Sequence, residues 1–212
     1  MQARTWLQKL TDESSLWFNA VKAEDNGDFI EAASLYLKDA EQSSKNESSV
    51  RQALSVSCAA NCLAQIGASL DSRQLFGEAA RLYVRNADRV ISGSIREALW
   101  CFEQAYESLI LAGDPTGAKE LRSQYLAIAA RKSPFSGSAD AIADLDKRGK
   151  EAQRGVALVK AMDLPASLRA QIQTTLKTRQ WESKEPAFSP SALARSARLS
   201  GGSRLDEKGI VS

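Results

Sequence analysis

The sequence contains no histidine among its 212 residues. Histidine is the commonest general base and the commonest metal ligand, so its absence excludes a catalytic triad, an imidazole dyad and a histidine-bearing zinc site. Three cysteines are too few, and odd in number, for a disulfide framework, and they fit a reducing compartment. Cys58 and Cys62 lie one helical turn apart and Cys101 is elsewhere. We interpret all three as small buried hydrophobic residues and predict no metal site.

Long apolar runs are also missing. No stretch reaches 18 consecutive apolar residues, which a membrane-spanning helix needs, and the first 14 residues lack the apolar core of a signal peptide. We therefore expect a cytoplasmic protein. The segment Gly113-Asp114-Pro115 lacks the glycine spacing and the lysine of a phosphate loop, and no nucleophile is spaced to pair with a base. We expect no enzyme activity, no cofactor and no small-molecule substrate.

Charge is divided unevenly along the chain. Residues 1–130 carry 13 lysines and arginines against 17 aspartates and glutamates, a net charge of −4. Residues 131–212 carry 15 against 9, a net charge of +6. An acidic body with a basic end affects which partners a protein meets and how fast, but it does not specify a fold.

A duplicated segment is the strongest positive signal. FIEAASLYLKDAE, starting at Phe29, recurs as FGEAARLYVRNAD, starting at Phe76, with seven of thirteen positions identical. Self-similarity at a fixed period is typical of repeat architectures, and an offset of 47 residues leaves room for two helices and two turns. The sequence therefore predicts an all-α chain of tandem helical hairpins whose Ala-Ala pairs and tyrosines form the seams between helices.

Turn signals divide the chain into helices. Asn26-Gly27-Asp28 ends one helix and caps the next, Ser94 and Glu97 form a capping box, and Gly113-Asp114-Pro115 is a stop followed by a restart. We expect a long third helix from Ser49 to Leu70, with Leu70 on its apolar stripe, and a fourth helix capped by Asp71.

Four regions follow from these signals. We predict a helical-hairpin array at residues 1–131, a linker at 132–138, C-terminal helices at 139–181, and a disordered basic tail at 182–212. The C-terminal helices begin with a weak seam that includes Leu145 and Gly149. Proline, serine, glycine and arginine dominate the tail, where apolar residues are few.

The hairpins resemble tetratricopeptide-type repeats. The second hairpin carries the resemblance best, through Leu63, Ile66-Gly67, Leu70, Phe76, Ala79 and Tyr83. The repeat spacing is longer than the usual 34 residues. Long helices with Glu-Ala-Ala-x-x-Tyr cores look like the soluble attachment proteins that link vesicle-fusion complexes to their disassembly ATPase, over roughly residues 12–131. The last four residues do not resemble that family's end, a departure that puts an ATPase-stimulating role in doubt.

The resemblance implies a right-handed solenoid with a C-terminal helical extension, in which the first helix of each hairpin lines a groove. Two tryptophans flanked by carboxylates in that groove suit an amphipathic helix or a basic peptide. The alternative is that both tryptophans are packed between helices. The groove residues projected from the repeat are Trp17, Val21, Glu24, Asn61, Ala64, Ala68, Trp100, Glu103 and Glu107.

These observations predict a non-catalytic adaptor that binds a helix or peptide of another protein. One alternative is an attachment-protein-like component of a trafficking assembly, peripheral to a membrane that Trp6, Leu7 and Leu10 could touch. A second, less favoured, is a nucleic-acid-associated protein that uses the basic segment. The tail is either a basic docking segment or a solvating, uncommitted one, and its cations are Arg195, Arg198, Arg204 and Lys208.

Overall fold

Eight α-helices make up the part of the chain that a computed structural model describes, namely residues 15–46, 49–132, 137–154 and 163–182. No strand occurs within those ranges, so the all-α prediction is confirmed. The predicted membrane contacts at Trp6, Leu7 and Leu10, most of the linker, and the tail lie outside the described residues. The helices are α1 (Leu16–Asp25), α2 (Phe29–Lys45), α3 (Ser49–Gln65), α4 (Ser69–Val90), α5 (Ile95–Ala112), α6 (Pro115–Lys132), α7 (Gly137–Arg154) and α8 (Ala166–Glu182).

Side-chain caps begin three of the helices where the sequence predicts them. The Asp28 side chain accepts from the Glu31 N–H at 3.2 Å, and the Ser94 hydroxyl accepts from the Glu97 N–H at the same distance. Asp114 accepts from the Gly117 N–H at 2.9 Å. Each contact satisfies an N–H that has no partner within its own helix.

Glycines in the left-handed region end the first helix of three successive pairs. Gly27, Gly67 and Gly113 have φ of 77°, 75° and 76°, values that L side chains rarely adopt. At each turn the residue after the glycine donates its N–H to a carbonyl five residues back, as Asp28 does to Ala23 at 2.9 Å. The pairs α1–α2, α3–α4 and α5–α6 are therefore hairpins closed by one type of turn.

The third helix is shorter than predicted. It ends at Gln65 because Gly67 adopts the left-handed conformation, and α4 begins at Ser69. Leu70, expected on the buried stripe of α3, lies in the first turn of α4 and is 70% exposed. Asp71 is also in that first turn and does not cap it, since Ala68 holds the N-cap position without a side-chain hydrogen bond.

Both copies of the duplicated segment are helical, but they start at different positions along their helices. Phe29 is the first residue of α2, whereas Phe76 lies seven residues into α4. Seven residues make nearly two full turns, about 20° short, so equivalent side chains still face the same way. Ala32, Ala33 and Tyr36 are accordingly buried, and so are Ala79, Ala80 and Tyr83.

Packing joins each helix to its neighbours in sequence from α1 to α7, and α7 also packs against α5. A Cβ added at Gly149 of α7 would lie 3.2 Å from Cε1 of Tyr106 on α5, so the two helices approach closely there. The described residues up to Arg179 belong to one compact unit, and α1 to α7 lie within it. Within the described residues, no helix combines the length and the apolar character needed to cross a bilayer.

Candidate docking surface

The second helix of each of the three hairpins contributes one buried tyrosine. Tyr36 of α2, Tyr83 of α4 and Tyr125 of α6 are at most 5% exposed, and each is bordered by side chains of the odd-numbered helices. Tyr36 meets the Trp17 ring edge-on with 5.1 Å between centroids, and Tyr83 meets Trp100 at 5.9 Å. We call this set the tyrosine row: Tyr36, Tyr83, Tyr125, Trp17, Glu24, Arg51, Cys58, Cys62, Trp100, Glu103, Glu107 and Arg148.

At the α1 end, a carboxylate and a phenol are joined by a short hydrogen bond. The Tyr36 hydroxyl donates to Oε2 of Glu24 at 2.7 Å. Burial and this hydrogen bond raise the pKa of Tyr36 far above its ordinary value. Burial, and then the negative charge of Glu24, raise the pKa of the Cys58 and Cys62 thiols on α3 to about 12. The Tyr36 phenol and the Cys58 and Cys62 thiols near Glu24 are therefore neutral at physiological pH.

At the α5 end, a tyrosine–glutamate pair of the same kind also binds a cation. The Tyr125 hydroxyl donates to Oε1 of Glu103 at 2.9 Å, and burial together with this bond raises the pKa of Tyr125. Arg148 of α7 then joins two carboxylates, with Nη1 2.7 Å from Oε1 of Glu107 and Nη2 3.4 Å from Oε2 of Glu103. Charge-assisted bonds of this kind are roughly twice as strong as neutral ones.

The middle of the row is less polar. Tyr83 lies near Cys58 of α3 and near Cys101 and Glu107 of α5, and burial is the main reason that its pKa rises to about 12. Trp100 packs on Tyr83 while 39% of its surface stays exposed. An aromatic side chain that is partly buried and partly accessible is typical of an anchor position in protein interfaces.

Arg51 fixes the first tryptophan. Its guanidinium binds both carboxylate oxygens of Asp39 on α2, at 2.8 and 3.1 Å, and its Cζ lies 4.4 Å from the centre of the Trp17 ring. The Ser55 hydroxyl also donates to Asp39. Arg51 therefore ties α3 to both α1 and α2, and its charge is matched by Asp39.

Five of the nine predicted groove residues belong to the tyrosine row, namely Trp17, Glu24, Trp100, Glu103 and Glu107. Both tryptophans pack against tyrosines, as the alternative to the groove predicted, and their role in a groove stays a prediction.

The remaining four are placed differently. Val21 is half-buried against the core. Asn61 is exposed, Ala64 half-buried, and Ala68 buried in the turn before α4. On α3 the residues that border the row are Arg51, Cys58 and Cys62. The sequence contains one signal that points to Arg51 and Cys58. These two residues are seven positions apart, as are Trp17 and Glu24, and Trp100 and Glu107, and this spacing keeps both members of a pair on one face of their helix.

The row offers little reactive chemistry. Its phenols and thiols have raised pKa values and stay protonated at neutral pH, which makes them weak nucleophiles and weak metal ligands. Within the described ranges, no group of three or more cysteine, aspartate or glutamate side chains could hold a metal ion. The arrangement suits recognition by aromatic surface and charge.

Comparison with known proteins identifies no relative: no family model, no curated protein and no solved structure matches the chain. The resemblance to tetratricopeptide repeats and to attachment proteins therefore stays a prediction that rests on the quoted residues.

Proposed function

We propose that this chain is a non-catalytic adaptor that binds a helix or peptide of another protein along the tyrosine row. The observation that carries the proposal is the partial exposure of Trp100, whose ring is held in place by the buried Tyr83. Tryptophan, tyrosine and arginine are the residues enriched among those that dominate binding energy in protein interfaces. The row combines all three on adjacent helices.

Preorganisation supports the same proposal. Hydrogen bonds fix Glu24 on Tyr36 and Glu103 on Tyr125, and Arg51 is held between Asp39 and Trp17. Binding orders few additional side chains when the surface is already fixed, so less conformational entropy is lost. The side chains of Arg148 and Glu107 remain 38% and 29% exposed, within reach of a partner.

The other two candidate functions lack a comparable observation. The membrane-contact version depends on Trp6, Leu7 and Leu10, which lie outside the described ranges. The nucleic-acid version depends on the basic segment after Arg131, and the tail cations of that segment lie outside those ranges too.

The test uses a phage-displayed library of helical peptides selected against the full chain. The affinity of the selected peptides is then measured by fluorescence anisotropy. Because Trp100 supplies the accessible aromatic surface, Trp100→Ala should weaken the best peptide at least tenfold, the effect of losing about 1.4 kcal/mol.

Leu70→Ala is the matched control, since Leu70 is also a large exposed apolar residue but lies in the first turn of α4, 13 residues before Tyr83, and is not a member of the row. This variant should bind normally. Circular dichroism checks that both variants fold. Selection of no peptide, or equal weakening by both variants, would contradict the proposal.

A further inference from the structure

The two ends of the tyrosine row are built alike but completed differently. At each end a tyrosine of the second helix donates to a glutamate of the first: Tyr36 to Glu24, and Tyr125 to Glu103. At the α5 end the next odd-numbered helix, α7, adds the guanidinium of Arg148. At the α1 end the next odd-numbered helix, α3, presents the neutral thiols of Cys58 and Cys62.

Glu24 is consequently a carboxylate without a cation among the described residues. Arg51, the cation of α3 that borders the row, is bound to both oxygens of Asp39. The Tyr36 hydroxyl occupies Oε2 of Glu24, which leaves Oε1 to accept from an incoming group. The pair Tyr36–Glu24 thus has the parts of the α5-end site except the guanidinium.

We infer that the partner segment carries an arginine or lysine that binds Glu24 as Arg148 binds Glu103 and Glu107. The inference rests on the proposed function and specifies its partner as a basic helix. Within the chain, α7 already packs on α5 with its arginine placed on the row's carboxylates, so this pair shows how a helix and a cation fit the surface.

The charge of the first hairpin favours the same partner. Residues 15–46 hold three lysines and six acidic residues, a net charge of −3. An apolar or acidic segment that covered Glu24 would remove water from the carboxylate without replacing its hydrogen bonds, which opposes binding. A basic side chain replaces those bonds and compensates the charge.

The decisive experiment is a double-mutant cycle with peptides from the selection described above. The best binder is synthesised with its basic residue as arginine and as glutamine, and each form is titrated against wild type and Glu24→Gln. Glutamine keeps one oxygen that can accept from Tyr36, removes the charge and replaces the second acceptor oxygen with an NH2 donor. The arginine peptide should lose about tenfold in affinity on Glu24→Gln, whereas the glutamine peptide should bind both proteins equally.

A control and a charge reversal complete the design. Asp25→Asn removes the neighbouring exposed carboxylate, about 100° around α1, and should leave binding unchanged. Glu24→Lys should prefer a peptide with glutamate in place of the arginine.

The outcomes separate the two proposals. Binding that depends on Trp100 but not on Glu24 overturns the basic-partner inference and leaves the adaptor function standing. Binding that depends on neither residue overturns both. Self-association of the wild-type chain in analytical ultracentrifugation, abolished by Glu24→Gln, would also overturn the inference, because the occupant would then be a second copy.

Discussion

Glu24 at one end of the tyrosine row and Glu103 at the other each accept a hydrogen bond from a buried tyrosine. Within the described part of the chain, only Glu103 of these two carboxylates also meets an arginine. At the α5 end the charged group comes from the chain itself, and the contact joins α7 to the hairpins before it. At the α1 end the place opposite the carboxylate is taken by thiols. The same tyrosine–glutamate pair can therefore join two helices of the chain or leave a carboxylate open to another protein. Which of the two occurs depends on one side chain of the next odd-numbered helix.

The largest expected effect is on stability, and it should differ between alanine variants of the two arginines of the row. Arg51→Ala leaves Asp39, whose side chain is only 10% exposed, without its cation, and should lower the free energy of unfolding by about 3 kcal/mol. Arg148→Ala should cost about 1–2 kcal/mol, because Glu103 and Glu107 are 21% and 29% exposed and water can replace part of the contact. Urea unfolding measures both, and a larger loss for Arg148→Ala would reverse the comparison.

A smaller effect tests how closely α7 approaches α5. Gly77 and Gly149 both lie within helices, but a Cβ at Gly77 meets nothing within 4 Å, whereas one at Gly149 meets Tyr106 at 3.2 Å. Gly77→Ala should stabilise the protein by about 0.5–1 kcal/mol through helix propensity alone. Gly149→Ala should gain less or lose stability, since Tyr106 must move. Equal gains in thermal denaturation would mean that the contact is not close.

The smallest effect is the change that Glu24→Gln makes to the pH dependence of stability at the α1 end of the row. The pKa values of Cys58 and Cys62 are about 12 in the folded chain against an ordinary 9.0, so the unfolded chain releases these protons first. Stability should hold below pH 9 and fall between pH 9 and 12. Glu24→Gln removes the second cause of the shift and should make that fall slightly shallower than in wild type. Urea titrations at pH 8, 9.5 and 10.5 measure the slopes, and a steeper fall in the variant would contradict this account.

Local signals in the sequence are sufficient for the helices and most of their ends. Asp28, Ser94 and Asp114 act as caps because capping depends on the few residues around each helix start. Gly67 shows the limit: glycine adopts both helical and left-handed conformations readily, and the residues around Gly67 do not distinguish between them. The predicted length of α3 and the placement of Leu70 and Asp71 are wrong for that reason.

The candidate site is less accessible to sequence reasoning. The first and third hairpins gave Trp17, Glu24, Trp100, Glu103 and Glu107 from the repeat pattern alone. For the second hairpin the projection named Asn61 and Ala64 of α3 and Ala68 of the turn before α4, because an error of one position rotates a helix face by about 100°. The contacts of Arg148 with Glu103 and Glu107 link residues 45 and 41 positions apart, a pairing that no local pattern encodes.

The seven-residue difference between the two duplicated segments has a practical consequence. Residues can be added ahead of Phe29 in blocks of seven while its alanines and tyrosine keep their orientation, as the extra two turns of α4 do ahead of Phe76. The length of a hairpin can thus be changed without changing the direction in which its seam residues point. An engineer could extend α2 to widen the protein without rebuilding its seams, whereas an insertion of two or five residues would turn every seam residue toward solvent.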